Sequence, residues 1–193
     1  RQRQMCIRDS SPGIEVRPIL QAHGQSGFNE VFFTDLRIPD SQRLGAVGQG
    51  WTVSLTTLMN ERLSIGSGMS TGFEPLLDYA IRAPGRDGGR LVDDPSIRSK
   101  LADWATKASG LKYTAMRSLT ALSKGEQPGP ENSIGKLVAG TTMQDIAMFA
   151  IDQQGEAGLL TDPSRVAAAA RFQAMLMRSP ATRIEGGTDE ILR

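Results

Sequence analysis

The sequence predicts a mainly α fold, an antiparallel four-helix bundle preceded by a remnant of a β domain. Three observations predict it. Short runs rich in Val, Ile and Phe fill residues 13–45, broken by Gly, Pro, Asn and Asp, which is the grammar of strands and turns. From Trp51 onward apolar residues recur three and four apart, the period of a helix that packs on one side. Gly- and Pro-rich segments then cut this helical pattern into pieces of bundle length.

The elements follow in order. The opening "RQRQMCIRDS" is basic and aperiodic and has no apolar core of a secretory signal. It resembles a translated sequencing adapter, so residues 1–10 are set aside as a non-native tail and the chain is expected to lack its true N-terminus. "GIEVRPI" and "NEVFFTDLRIP" read as strands. Two or three strands cannot bury a face alone, so residues 11–45 are expected to be the last part of a larger β domain. "GAVGQG" is a loop, and residues 46–193 are expected to form the helical domain.

The first helix carries Trp51, Leu55, Leu58, Met59 and Leu63; Gly66, Gly68 and Gly72 weaken it, each by up to about 1 kcal/mol against Ala. "RAPGRDGGRLVDDP" is a loop, and Asp94-Pro95 sets an N-cap before a proline at the first helical position. The helix that follows presents Ile97, Leu101, Trp104, Ala108, Leu111 and Ala115. "KGEQPGPENS" ends it, and Pro130-Glu131 opens another with a face of Ile134, Leu137, Val138, Thr141, Ile146 and Phe149. Asp162-Pro163 repeats the cap signal for a fourth helix through Met177, and a fifth is expected to start near Thr188. The methionines between 143 and 177 read as gap-fillers in the core.

Composition narrows the function. Hydrophobic content of 39% with 22% charged residues is that of a soluble globular protein. A net charge of +1 without a Lys/Arg cluster argues against a nucleic-acid partner, and no apolar stretch approaches the roughly 18 residues of a membrane span. A single cysteine, Cys6, excludes an internal disulfide and a Cys-based zinc site, and a lone His23 makes no metal site, so a reducing, cytoplasmic setting is expected.

Three phrases occur in order: "NEVFFTDLRIPDSQRLGAVGQGW", "NERLSIG" on the first helix, and "RIEGGTDEILR" after the bundle. Together they resemble the acyl-CoA dehydrogenase family over residues 11–193, with the end of the family's middle β domain and its C-terminal helical domain. The resemblance implies FAD as cofactor and oxidation of an acyl-CoA thioester to the trans-2-enoyl-CoA. A carboxylate removes an α-proton while a hydride leaves the β-carbon for the flavin. Such a proton is weakly acidic, so the base needs a raised pKa and hydrogen-bond reach. The resemblance also implies an electron-transfer flavoprotein-type acceptor and a homodimer or homotetramer.

Many members carry the base immediately before Gly-Thr in the C-terminal turn, where this chain has Gly186. A minority carry it on the first helix in an "-ER-" context, which "NERLSIG" matches with Glu61. The resemblance therefore assigns the base to Glu61, with Glu185 as second choice and Arg62 ordering the substrate site. It places Gly186, Gly187, Thr188 and Glu190 near the flavin, Glu190 also suiting the first turn of a helix. The family's Arg-x-x-Phe-Gly stretch is replaced here, leaving Arg82 or Arg86 to reach the cofactor diphosphate. Of Gln-x-x-Gly-Gly only Gly155 is kept, with Asp152 in place of the glutamine. These departures keep a catalytically silent subunit of the same family open as a reading, and an oxidase or monooxygenase on the same scaffold is a further alternative. The chain alone is not expected to turn over.

Overall fold

The computed structural model describes residues 12–68, 70–85, 87–126 and 131–193. It is mostly helical, with a two-stranded sheet and, among the described residues, five α-helices. Contacts divide it into two units, one ending at Leu55 and one running from Thr56 to Arg193. None of the described helices is long and apolar enough to cross a membrane.

In the first unit β1 (Ile14–Ile19) and β2 (Phe28–Phe33) pair antiparallel, with Val16 opposite Val31. Arg17 holds Glu15 at 2.7 Å and lies 4.7 Å over the Phe32 ring. Ile19, Phe28, Phe32 and Phe33 remain exposed, because two strands offer no second layer. Gly13 joins the hairpin with φ +91, and a Cβ there would lie 2.3 Å from the Thr34 carbonyl oxygen.

The helical run from Trp51 is two helices and not one. Helix α1 spans Gly50–Gly68 and α2 spans Phe73–Arg82. Gly72 does not weaken a helix interior but caps α2 in the left-handed region, φ +79. A Cβ at Gly72 would lie 2.6 Å from the Met175 sulfur, so the break brings this corner against the last helix. The next expected cap holds: Asp94 accepts the N–H groups of Ser96 and Ile97 at 2.7 and 3.4 Å and opens α3 (Pro95–Ser123).

Helix α4 (Glu131–Gln153) departs from its expected face. Ile134 is half exposed, whereas Gly135, Lys136, Ala139 and Gly140 are buried alongside Ile146 and Phe149. The small residues allow close approach of α5, so packing selected the small side of this turn over the bulky one. The last expected helix also shifts. Asp162 accepts the N–H and hydroxyl of Ser164 at 2.9 and 2.7 Å in a turn, which an Asp-Pro-Ser sequence favours as readily as a helix start. Ala168 and Ala170 then take φ of +56 and +55, which interrupts helical propagation until α5 (Arg171–Ile184) begins. It runs past Met177. Pro180 inside it leaves the Leu176 carbonyl without a helical donor, and the buried Ser179 hydroxyl supplies one at 2.8 Å. At Thr188 the N–H groups of Ile191 and Leu192 both return to the Thr188 carbonyl, a single helical turn at the end of the sequence.

The core of the second unit joins all four helices α2–α5. Leu76, Ile97, Leu101, Trp104, Ile146, Phe149 and Phe172 form one cluster, with Met175 against it. Its rings meet edge to face, Trp104 with Phe149 at 5.1 Å and Tyr79 with Phe172 at 5.5 Å.

The same substitution is expected to act with opposite sign at two glycines. Gly72→Ala should lower stability by about 1–2 kcal/mol, since a left-handed Ala is strained. Gly110→Ala, inside α3 with nothing within 4 Å of an added Cβ, should raise it by about 0.5–1 kcal/mol. Urea midpoints of the two variants check this; equal signs would contradict it.

Candidate functional site

The turn after α5 carries four of the predicted residues, Gly186, Gly187, Thr188 and Glu190. Gly186 and Gly187 take φ of +67 and +114, conformations that bend the chain back beneath α4 and that side chains rarely adopt. Two charged clamps hold the turn. On one side Arg183, in the last turn of α5, donates from Nε to Asp189 Oδ2 at 2.7 Å and from Nη2 to the same oxygen at 2.5 Å. Its Nη1 reaches Gln144 of α4 at 2.9 Å. On the other side Lys136, 4% exposed, donates from Nζ to the Arg183 carbonyl at 2.8 Å and to the Gly187 carbonyl. Burial pushes the Lys136 ammonium below its ordinary range, and the charges of Asp189 and Glu185 pull it the other way.

A cleft of about 280 Å³ opens beside the turn, lined by residues that include Gln144, Arg183, Thr188, Asp189 and Glu190. Asp189 is 4% exposed, and its Oδ1 is buried with no hydrogen-bond partner among the described residues. Such an acceptor is costly unless a donor is brought to it. Glu190 is exposed, and its carboxyl lies below the ordinary carboxylate range because its own backbone N–H and the Thr188 hydroxyl donate to it. Among the described residues the Gly187 and Thr188 N–H groups donate to no backbone carbonyl.

The other predicted residues that are described do not line this cleft. Glu61 is an exposed residue of α1. Glu185 stands next to the glycines, but Arg178 Nη2 donates to both its oxygens at 2.9 and 2.8 Å. Arg82 ends α2 paired with Asp78 at 2.6 Å, on a separate cleft of about 410 Å³ that Tyr79 and Arg171 also line. Gly155 opens the 3-10 turn after α4 with φ +58 and open space around it. The Arg62 side chain and the whole of Arg86 lie outside the described residues.

Sequence reasoning missed Lys136, Gln144, Arg183 and Asp189 as parts of this site. The available signal was Lys136 set among Gly135, Ala139 and Gly140, a cation on the side of a helix where small residues mark close approach. A Cβ on Gly140 would already touch the Arg183 and Thr182 side chains at 3.4 and 3.6 Å.

Comparison with known proteins bears on all of this. The family described as "Acyl-CoA dehydrogenase, C-terminal domain" matches residues 48–193. The chain is 33% identical to the acyl-CoA dehydrogenase IpdE1 of Mycolicibacterium smegmatis over 94% of its own length and 44% of that protein. It is 26% identical to subunit CarC of the caffeyl-CoA reductase–Etf complex of Acetobacterium woodii, over 69% of this chain and 36% of that one. The fold superposes on an acyl-CoA dehydrogenase of Geobacillus kaustophilus with a TM-score of 0.80 at 20% identity, covering 96% of this chain and 48% of the other. The chain thus spans less than half the length of these relatives.

The Arg183–Asp189 clamp should show as a coupling energy. Arg183→Met leaves Asp189 buried without its cation, and Arg183→Met with Asp189→Leu removes both charges. A double-mutant cycle on unfolding should give about 1–3 kcal/mol, at the lower end because Arg183 is partly solvated. A coupling under about 0.5 kcal/mol would contradict the clamp.

Proposed function

The chain belongs to the acyl-CoA dehydrogenase family, and on that premise we propose that the complete protein oxidises an acyl-CoA thioester to its trans-2-enoyl-CoA. The observation that carries the choice of base is the Arg178 guanidinium clasping both oxygens of Glu185. A carboxylate held in that way is not presented to a substrate. Gly186 occupies the other candidate position and carries no side chain. Glu61 is left as the base. It takes the α-proton, breaking the Cα–H bond, and Arg62 beside it orders the thioester end of the substrate. Glu61 is exposed in this chain, so its desolvation falls to the acyl-CoA and to the rest of the complete protein.

FAD is the cofactor of this reading, and the residues of the turn suit it. The unpartnered Asp189 Oδ1 and the exposed Glu190 carboxylate accept hydrogen bonds from hydroxyl groups, and the backbone of Gly187 and Thr188 offers donors. FAD when bound supplies the acceptor for the β-hydride. Arg82 serves the diphosphate less well, being already paired with Asp78. An electron-transfer flavoprotein-type acceptor is supported by the Etf-linked relative. A homodimer or homotetramer follows from the family's habit of completing its cofactor site across a subunit contact.

A silent subunit is the second reading, favoured by Asp152 standing where a cofactor-facing glutamine is expected. Flavin reduction separates the two. In the complete protein, Glu61→Gln should keep flavin and acyl-CoA binding and slow anaerobic flavin reduction by at least about 10²-fold. Glu185→Gln should change it by less than tenfold. Full activity of Glu61→Gln with an inactive Glu185→Gln would reverse the assignment, and no reduction in the wild type would favour the silent subunit.

A further inference from the structure

We infer that Lys136 is a positioning residue, holding the Gly187–Thr188 peptide so that the Thr188 N–H faces the flavin. The inference rests on the functional reading above, and its geometry stands within this chain.

Lys136 sits on α4 between Gly135 and Ala139, on the side of the helix that meets α5. Its ammonium is buried and donates to two carbonyls, that of Arg183 at the end of α5 and that of Gly187 beyond it. The two acceptors are four residues apart in the chain, so one cation closes the turn between them. In a trans peptide the C=O and the following N–H point in opposite directions, and the described chain contains no cis peptide. Drawing the Gly187 carbonyl towards Lys136 therefore turns the Thr188 N–H away from α4. That N–H donates to no backbone carbonyl among the described residues, so it is left as a donor for a ligand atom.

The same geometry explains why a buried charge is kept here. With φ of +67 and +114, both glycines lie where side chains are rarely found, and Gly187 offers little steric resistance on its own side to a rotation of the Gly187–Thr188 peptide. A neutral apolar side chain at 136 would fill the space without holding the Gly187 carbonyl. An ammonium opposes the rotation, because flipping the peptide strips a buried cation of an acceptor. The Arg183–Asp189 clamp fixes the following residue but touches neither carbonyl. Lys136 thus acts on the peptide, and Arg183 on the segment that carries it.

The test uses the complete protein stripped of flavin and reloaded. Lys136→Met is compared with Leu101→Ala, a core change in α3 chosen to lower the apoprotein's melting temperature by a similar amount. Lys136→Met should weaken FAD binding at least tenfold and speed amide exchange in residues 184–190 at least tenfold. Leu101→Ala should leave both within threefold of wild type. If Lys136→Met does not fold, Lys136→Gln, which is shorter and keeps an amide donor, should show at least a threefold loss of FAD affinity. Wild-type affinity in whichever lysine variant folds, or an equal loss in Leu101→Ala, overturns the positioning role. A wild-type protein that takes up no flavin overturns the functional reading itself, and this role with it.

Discussion

The close approach of α4 and α5 is the constraint on which the candidate site depends. These two helices pack more extensively than any other pair among the described residues. Gly140 leaves no side chain between the backbones, and the Thr182 and Arg183 side chains lie against the place its Cβ would take, while Gly135 and Ala139 are small and buried on the same helix. Only at that separation can a lysine on α4 reach the carbonyls of the segment leaving α5. A larger residue at 140 would push the helices apart and withdraw Nζ from both acceptors. The site is therefore built from the scaffold outward, with a steric decision at small residues setting an electrostatic one at the turn.

Around that contact the polar groups divide the work. Arg178 pairs with Glu185 and Arg183 with Asp189, so two of the acidic residues near the glycines are each tied to a guanidinium. Two carboxylate features stay available to a ligand: the buried Asp189 Oδ1 and the exposed Glu190. The cost of burying Lys136 is offset by its two carbonyls and by Asp189 nearby, which is why a charge can persist at a helix–helix contact.

Much of the fold was legible because its signals are local. Asp94 before Pro95 satisfies helix donors within three residues, and the structure uses it as expected. Asp162 before Pro163 gives the same local signal and forms only a turn, since the outcome was decided downstream by the left-handed Ala168 and Ala170. Gly72 was legible as a weak point but not as a corner, because its role depends on Met175 about a hundred residues away. The site followed the same rule. The glycine turn announced itself in sequence, whereas Lys136 and Gln144 reach it only through the packing of α4 on α5. A face drawn by hydrophobicity selected Ile134, and the real contact follows small size instead.

The central claim is that this scaffold holds Glu185 away from chemistry and leaves it to Glu61. The most direct measurement is a crystal structure of the complete protein with FAD and a non-reactive acyl-CoA analogue. The account predicts the Glu61 carboxylate within about 3–3.5 Å of the substrate α-carbon, with Glu185 still bound to Arg178. A Glu185 carboxylate swung off Arg178 and facing the α-carbon, with Glu61 in solvent, would contradict it.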